Sequence, residues 1–162
     1  PAVRGPQFLV VALAGTEVAL PANNVAGVER VSDITQVPNT VAWVLGVANL
    51  RGAITSVVDL RGFLGLPREA VTTRSRVVVA TARDMTIGFL VDGVAEFLPI
   101  PEATRSQDNL RQSAPPWLGS YVVALAQVPG TAQSPERART IFLLDVEKLL
   151  FADSLHRYQA DL

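Results

Sequence analysis

The chain has 162 residues, of which 49% are hydrophobic and 18% are charged, and it contains no cysteine. A net charge of -1 gives no long-range attraction to nucleic acid or to an anionic membrane, and the lack of cysteine excludes disulfides and thiolate metal sites. No apolar run reaches the roughly 20 residues that span a bilayer. We therefore expect a soluble, cytoplasmic, β-rich domain that neither binds nucleic acid nor inserts into a membrane.

The first part of the chain predicts short strands joined by tight turns. Residues 8–13 and 17–20 are apolar runs separated by Ala14-Gly15-Thr16, which indicates a β-hairpin. Residues 21–25 indicate a single helical turn that begins at a proline, whose missing N–H costs nothing at that position. Further elements are predicted beyond it: strands at residues 28–31 and 34–37, and a helical turn at residues 41–45.

Residues 46–60 form the most informative segment of the chain. They comprise an apolar strand, a polar Asn-Leu-Arg-Gly corner at residues 49–52, a second apolar strand and a final aspartate, Asp59. Because both strands bury apolar side chains, the corner between them presents Arg51 rigidly. No base, nucleophile or metal ligand stands beside Arg51 in the sequence, so the segment favours binding over catalysis.

The second half of the chain repeats the first. A shift of 69 residues places residues 8–13 on residues 77–82, and a shift of 86 residues places Asp59 on Asp145. Strand, helical turn and aspartate recur in the same order. The repeat predicts two similar small barrels that cover each other's apolar faces.

The segments between and after the repeated strands are polar or short. Residues 61–66 predict a helical turn, and residues 68–75 predict a linker between the halves. Residues 106–116 and 127–139 are rich in proline or polar side chains and predict loops. Residues 151–162 have the apolar spacing of a C-terminal helix.

The sequence offers no convincing catalytic group. His156 is the only histidine, with Asp153 near it but no nucleophile in a matching context. Asp59, Asp92 and Asp145 each follow a buried-looking strand, and we expect each to cap the following turn rather than to bind a metal. We therefore predict no enzymatic activity, no metal and no cofactor.

Six segments, in order and at the right spacing, give the chain a close resemblance to the CheW family from Phe8 to Leu150. They are Ala19-Leu20-Pro21 and residues 34–38, 45–52, 57–61, 88–94 and 144–150. The resemblance implies a mainly β fold with two five-stranded, SH3-like barrel subdomains around a shared hydrophobic core, with short helical turns and a C-terminal helix. It implies one domain over residues 1–162, with subdomain one at about residues 18–75 plus closing segments and subdomain two at residues 76–150.

The resemblance also implies a function. Proteins of this family are non-catalytic adaptors that bind the regulatory domain of a CheA-type histidine kinase and the cytoplasmic tip of a chemoreceptor. The receptor tip lies in a groove between the two halves. The expected location is therefore the cytoplasm, at receptor arrays on the inner face of the membrane.

Eight residues are candidates for partner binding. The corner supplies the sharpest of them, Arg51, because the matching arginine of the family is tied to receptor and kinase coupling and its guanidinium suits a fixed carboxylate partner. A groove for a helical hairpin needs apolar walls, although residues proposed to line it could equally belong to the core. The candidates are Asn49, Leu50, Arg51 and Gly52 at the corner and Val25, Val28, Val94 and Phe97 at the groove.

The sequence departs from the family pattern at two positions, which leaves the partner's identity open. The family commonly has a glutamate where this chain has Gly27, so either the acid has moved to Glu29 or the ion pair with the turn arginine is absent. The family's usual proline in the second hairpin strand is Ser56 here. The alternatives are a regulatory domain from a larger kinase or receiver-bearing protein and a small ligand-binding barrel.

Overall fold

A computed structural model describes residues 5–130, 138–152 and 155. The described residues form short strands connected by brief helical segments. The strands are β1 (Gln7–Leu13), β2 (Thr16–Pro21), β3 (Val25–Arg30), β4 (Val44–Leu50), β5 (Ala53–Asp59), β6 (Arg76–Ala82), β7 (Met85–Val91), β8 (Gly93–Pro99), β9 (Arg105–Ser106), β10 (Val122–Val128) and β11 (Arg139–Leu144). The α-helices are α1 (Leu60–Phe63), α2 (Leu110–Ser113) and α3 (Val146–Leu150), and 3₁₀ turns lie at Ala22–Asn24, Glu102–Thr104 and Pro116–Tyr121.

The strands assemble into two sheets. Sheet A has the order β8-β1-β2-β11-β10-β9, and sheet B has the order β3-β6-β7-β5-β4. Each sheet contains one parallel pair, β11 with β2 and β5 with β7, among antiparallel neighbours. The predicted fold class, a mainly β chain with two subdomains, is confirmed, with the two-residue β9 as a sixth strand in sheet A.

Each sheet takes strands from both halves of the chain. Under the repeat, β8, β1, β2, β11 and β10 of sheet A correspond to β3, β6, β7, β5 and β4 of sheet B, so the two sheets share one strand order. The hairpin β1–β2 nevertheless pairs with strands of the second half, and β6–β7 pairs with strands of the first. The predicted boundary near residue 75 thus separates β5 from β6 along the chain, but both strands belong to sheet B.

A shared core lies between the sheets, and each sheet buries a second cluster on its other face. In β1, Leu9 and Val11 face the shared core while Phe8 and Val10 face the second cluster of sheet A. Burial on both faces explains why these strands read as continuous apolar runs without alternation. The outer cluster of sheet B consists of the buried residues Ala48, Leu50, Val57, Val77 and Val79.

Several local predictions are confirmed. The first hairpin, the helical turn after Pro21, the hairpin at the Asn-Leu-Arg-Gly corner and the short helix after Asp59 are all present. Residues 68–75 contain no helix or strand, as expected of a linker.

Other local predictions are wrong. Residues 34–37 form only one isolated bridge, between Thr35 and Val47, instead of a strand. This contact is close because Gly46 has no side chain: a Cβ there would collide with the carbonyl of Thr35. Residues 42–43 form a turn and β4 begins at Val44, so the predicted helical turn at residues 41–45 is absent. The predicted loop at residues 106–116 contains α2, which buries Ala114 at its end.

The end of the chain is described only in part. Residues 131–137, 153–154 and 156–162 lie outside the described residues, and they include His156, Asp153 and most of the predicted C-terminal helix. Leu155 is described and is fully buried in the shared core. In the described part of the chain, no helix is long and apolar enough to cross a membrane.

Candidate partner-binding site

The corner between β4 and β5 is a two-residue turn. Arg51 and Gly52 have φ angles of 56° and 83°, and positive φ at both central residues is typical of the type I′ turn that suits a twisted hairpin. The side-chain oxygen of Asn49 accepts a hydrogen bond from the Gly52 N–H at 3.0 Å. A left-handed conformation costs a non-glycine residue about 1 kcal/mol, so the hairpin holds Arg51 in a backbone conformation it would not otherwise favour.

The guanidinium of Arg51 reaches across to β3. Its Nη1 donates to the carbonyl oxygen of Ala26 at 2.9 Å, and its Nε lies 3.3 Å from Oε2 of Glu29. Since β3 and β4 are the two edges of sheet B, these contacts connect the edges at the exposed surface. The side chain is still 60% exposed. Of the two alternatives for the missing family glutamate, the ion pair with Glu29 is the one present.

Gly27 provides the space in which this guanidinium lies. A Cβ built on Gly27 would stand 2.7 Å from Cζ of Arg51 and 2.8 Å from its Nε, closer than real Cβ contacts. The arginine can therefore lie against β3 only because residue 27 has no side chain.

Leu50 is corrected from a contact residue to a core residue. Its side chain is 5% exposed and belongs to the outer cluster of sheet B. Because β4 is buried on this face near its end, the corner exposes Asn49 and Arg51 but not the leucine between them. In the sequence the corner reads as one polar segment, which does not show that Leu50 alone points inward. Ile54, opposite Asn49 on β5, is 53% exposed; it was missed because β5 reads as an apolar strand.

The four groove candidates lie on the edge strands β3 and β8. Val25, Val28 and Val94 are partly buried and pack against the shared core, whereas Phe97 is 54% exposed. Val28 stands opposite Val78 and Phe97 opposite Leu9, both shared-core residues. Cross-strand partners point to the same face of a sheet, so Val28 faces the shared core, whereas Phe97 lies on the same face as Leu9 but remains largely exposed at the sheet edge.

The corner and the groove candidates of β3 occupy opposite faces of that strand. Gly27 and Glu29, which contact Arg51, stand opposite Val79 and Val77 of the outer cluster. Val28, between them, points toward the shared core. The structure therefore does not bring the eight candidate residues into one site: the corner contacts one face of β3, Val25 and Val28 lie on its other face, and Val94 and Phe97 lie on β8 of the other sheet.

The three aspartates that follow strands have different roles. Asp145 caps α3, because its Oδ1 accepts a hydrogen bond from the Lys148 N–H at 3.0 Å. Asp59 occupies the same position before α1 without a complete capping hydrogen bond. Burial raises the pKa of the Asp59 carboxyl, while the backbone amides of Gly62 and Arg61 act in the opposite direction.

Asp92 does not cap a following turn, which corrects the prediction. Its Oδ2 accepts a hydrogen bond from the Ala14 N–H at 2.8 Å and lies 2.8 Å from Nη1 of Arg61. Ala14 belongs to the β1–β2 turn of sheet A, and Arg61 belongs to α1, which continues β5 of sheet B. Asp92 therefore ties the two sheets together. Among the described residues, no cluster of three or more histidines, aspartates and glutamates is placed to hold a metal ion.

Known proteins resemble the chain, one over most of its length and another over less than half of it. A family model described as "CheW-like domain" matches residues 7–153. The "Chemotaxis protein CheW" of Thermotoga maritima is 33% identical over 132 residues, which cover 82% of this chain and 79% of that protein. The "Protein PilI" of Pseudomonas aeruginosa is 38% identical over 73 residues, which cover 45% of this chain and 41% of that protein.

A solved structure has the same fold. The crystal structure of the scaffolding protein TtCheW from Thermoanaerobacter tengcongensis superimposes with a TM-score of 0.73 at 23% identity, covering 97% of this chain and all of that one. At this identity the superposition supports the fold alone. The family match spans both sheets and the Asn-Leu-Arg-Gly corner, and the chain therefore belongs to the CheW-like family.

Proposed function

We propose that the chain is a non-catalytic signalling adaptor, which couples a methyl-accepting chemoreceptor to a CheA-type histidine kinase in chemotaxis or in pilus-based motility. The observation that carries this function is the CheW-like match over residues 7–153. The relatives named for chemotaxis and PilI support the two settings.

The groove candidates and the corner suit two kinds of contact. Val28 and Phe97, on the edge strands of the two sheets, offer apolar side chains to a helical hairpin, which is the form of a receptor tip. The corner offers the guanidinium of Arg51, 60% exposed and held by two contacts, to a carboxylate of the kinase regulatory domain or the receptor. Binding to a receptor places the adaptor at arrays on the inner face of the membrane.

The first test is a pull-down from native lysate with the whole chain as bait and mass spectrometry of the captured proteins. Recovery of a CheA-type kinase together with a methyl-accepting receptor supports the adaptor function and identifies the pathway. The Arg51→Ala variant serves as the matched bait. We expect it to melt within about two degrees of the wild type, since exposed substitutions change stability by roughly 0.5 kcal/mol or less, and to recover less of at least one partner. A folded wild-type bait that recovers neither partner contradicts the proposal.

A further inference from the structure

We propose that Gly27 is a specificity-determining residue: by leaving room for the guanidinium of Arg51 against β3, it fixes the direction in which that cation meets a carboxylate of the partner. This inference rests on the proposed adaptor function. It concerns a residue that touches no partner itself and acts through Arg51.

The contacts of Arg51 leave one side of its guanidinium for a partner. Nη1 donates to the carbonyl of Ala26, and Nε faces the carboxylate of Glu29. Within the described residues, Nη2 takes part in no hydrogen bond or ion pair. A planar guanidinium held at two of its nitrogens has a defined orientation, and an oriented fork binds a carboxylate with less loss of side-chain entropy than a free arginine.

A side chain at residue 27 would abolish this arrangement without disturbing the backbone. Its Cβ would stand 2.7, 2.8 and 2.9 Å from Cζ, Nε and Nη1 of Arg51. All three atoms belong to the far end of a flexible side chain, so the guanidinium rather than the sheet would move. Arg51 would keep its charge but lose its fixed orientation.

The repeat supplies an internal comparison. The shift of 69 residues places Gly27 on Glu96 in β8, and Glu96 is paired with an arginine, Arg139, at 2.7 Å. Arg139 also contacts the carboxylate of Glu17, which raises the pKa of the arginine, and its side chain is only 13% exposed. With an acid at this position, the arginine is enclosed between two carboxylates.

Arg139 is not the repeat equivalent of Arg51, since the shift of 86 residues places it on Ala53, but it shows what an acid at this position of the edge strand does to a nearby arginine. In sheet A both partners of Arg139 are carboxylates of the same domain, so its guanidinium is occupied by internal ion pairs. In sheet B residue 27 is a glycine and offers no acid. Glu29 contacts Arg51 from one side, and more than half of the arginine side chain is exposed to solvent. The ligand chemistry that fits this half-satisfied guanidinium is a single carboxylate, from an aspartate or glutamate of the partner protein.

The test compares Gly27→Ala with Gly93→Ala in the whole chain. Gly93 is the matched control, because a Cβ there would lie 3.7 Å from the Arg74 carbonyl oxygen, which is ordinary contact. Binding is measured to the regulatory domain of the CheA-type kinase and to a cytoplasmic receptor fragment from the same organism. We expect Gly27→Ala to weaken binding to one of them by about threefold to tenfold, the range of an exposed charge contact, and Gly93→Ala to leave both unchanged.

A double-mutant cycle with Arg51→Ala isolates the mechanism. In the Arg51→Ala background, Gly27→Ala should have no further effect, because its action passes through the arginine. Equal weakening in both backgrounds, or wild-type binding by Gly27→Ala while Arg51→Ala is impaired, overturns the inference.

An NMR measurement tests the geometry without any partner. The Nε–H of Arg51 should exchange more slowly with water in the wild type and in Gly93→Ala than in Gly27→Ala. Equal exchange in all three chains overturns the placement. If the wild type binds neither probe, the proposed function and the partner part of this inference both fail, whereas the exchange rates still decide whether Gly27 holds Arg51.

Discussion

Arg61 and Asp92 form the polar link between the two sheets. Nη1 of Arg61 lies 2.8 Å from Oδ2 of Asp92, and the same oxygen accepts the N–H of Ala14. The arginine side chain is 12% exposed, so the pair is shielded from water on one side. Through this pair and the Ala14 N–H, the segment after β5 (Arg61) and the residue before β8 (Asp92) are connected to the turn of the first hairpin.

Removing the Asp92 carboxylate should weaken the whole domain. Asp92→Ala leaves Arg61 without its closest acid and the Ala14 N–H without its acceptor, and we expect a loss of about 1–3 kcal/mol in the free energy of unfolding. Urea denaturation gives the value. The control is Glu69→Ala, which removes a 65% exposed carboxylate 3.6 Å from the same arginine and should change stability little. Equal effects of the two substitutions would show that Asp92 is not the link.

Leu50→Ala should be a core mutation. Because Leu50 is buried in the outer cluster of sheet B, we expect a loss of about 2–5 kcal/mol in the free energy of unfolding. Ile54→Ala is its matched control two residues beyond the turn, 53% exposed, with an expected change of about 0.5 kcal/mol or less. If Leu50→Ala changes the free energy of unfolding only slightly in chemical denaturation, Leu50 is not a core residue.

Phe97→Ala should separate binding from stability. The ring is 54% exposed at the rim of the proposed receptor groove, so its loss should hardly change the melting temperature. Binding to the receptor fragment should fall by about tenfold, as when an aromatic anchor is truncated. Val123→Ala, at an exposed apolar residue of β10, should bind normally. Unchanged binding by Phe97→Ala would exclude the ring from the groove.

Stability should depend on the protonation of Asp59. Burial raises the pKa of this carboxyl above its usual 3.8, so the folded state holds the proton more tightly than the unfolded state. The contribution of Asp59 to stability is therefore full below pH 3.8 and is lost as the pH rises through the folded pKa. Asp59→Asn should remove this loss, and unfolding curves of both chains from acid to neutral pH measure it. A wild type that instead gains stability relative to Asp59→Asn over that range would contradict the raised pKa.

Long strands such as β1 and β6 could be predicted because each is an apolar run, but their assignment to sheets could not. β1 and β6 occupy equivalent positions in the repeat, and so do their possible partners β3 and β8. The local sequence pattern does not indicate that β1 pairs with β8 and β6 with β3. The Arg51 turn could be located because its polar residues interrupt two buried strands. Its ion pair with Glu29 crosses the barrel between residues 22 positions apart, and only the closed sheet brings them together.

The exchange of hairpins between the sheets makes the two halves of the chain mutually dependent. A polypeptide that ends in the linker at residues 68–75 would carry β3, β4 and β5 without the two strands that join them, and the remainder would lack β1 and β2. Each piece alone would expose the apolar edge that the other is shaped to fill. Cleavage in the linker would therefore give two complementary fragments. Neither fragment contains all the strands of a sheet, and mixing them supplies the strands that each lacks.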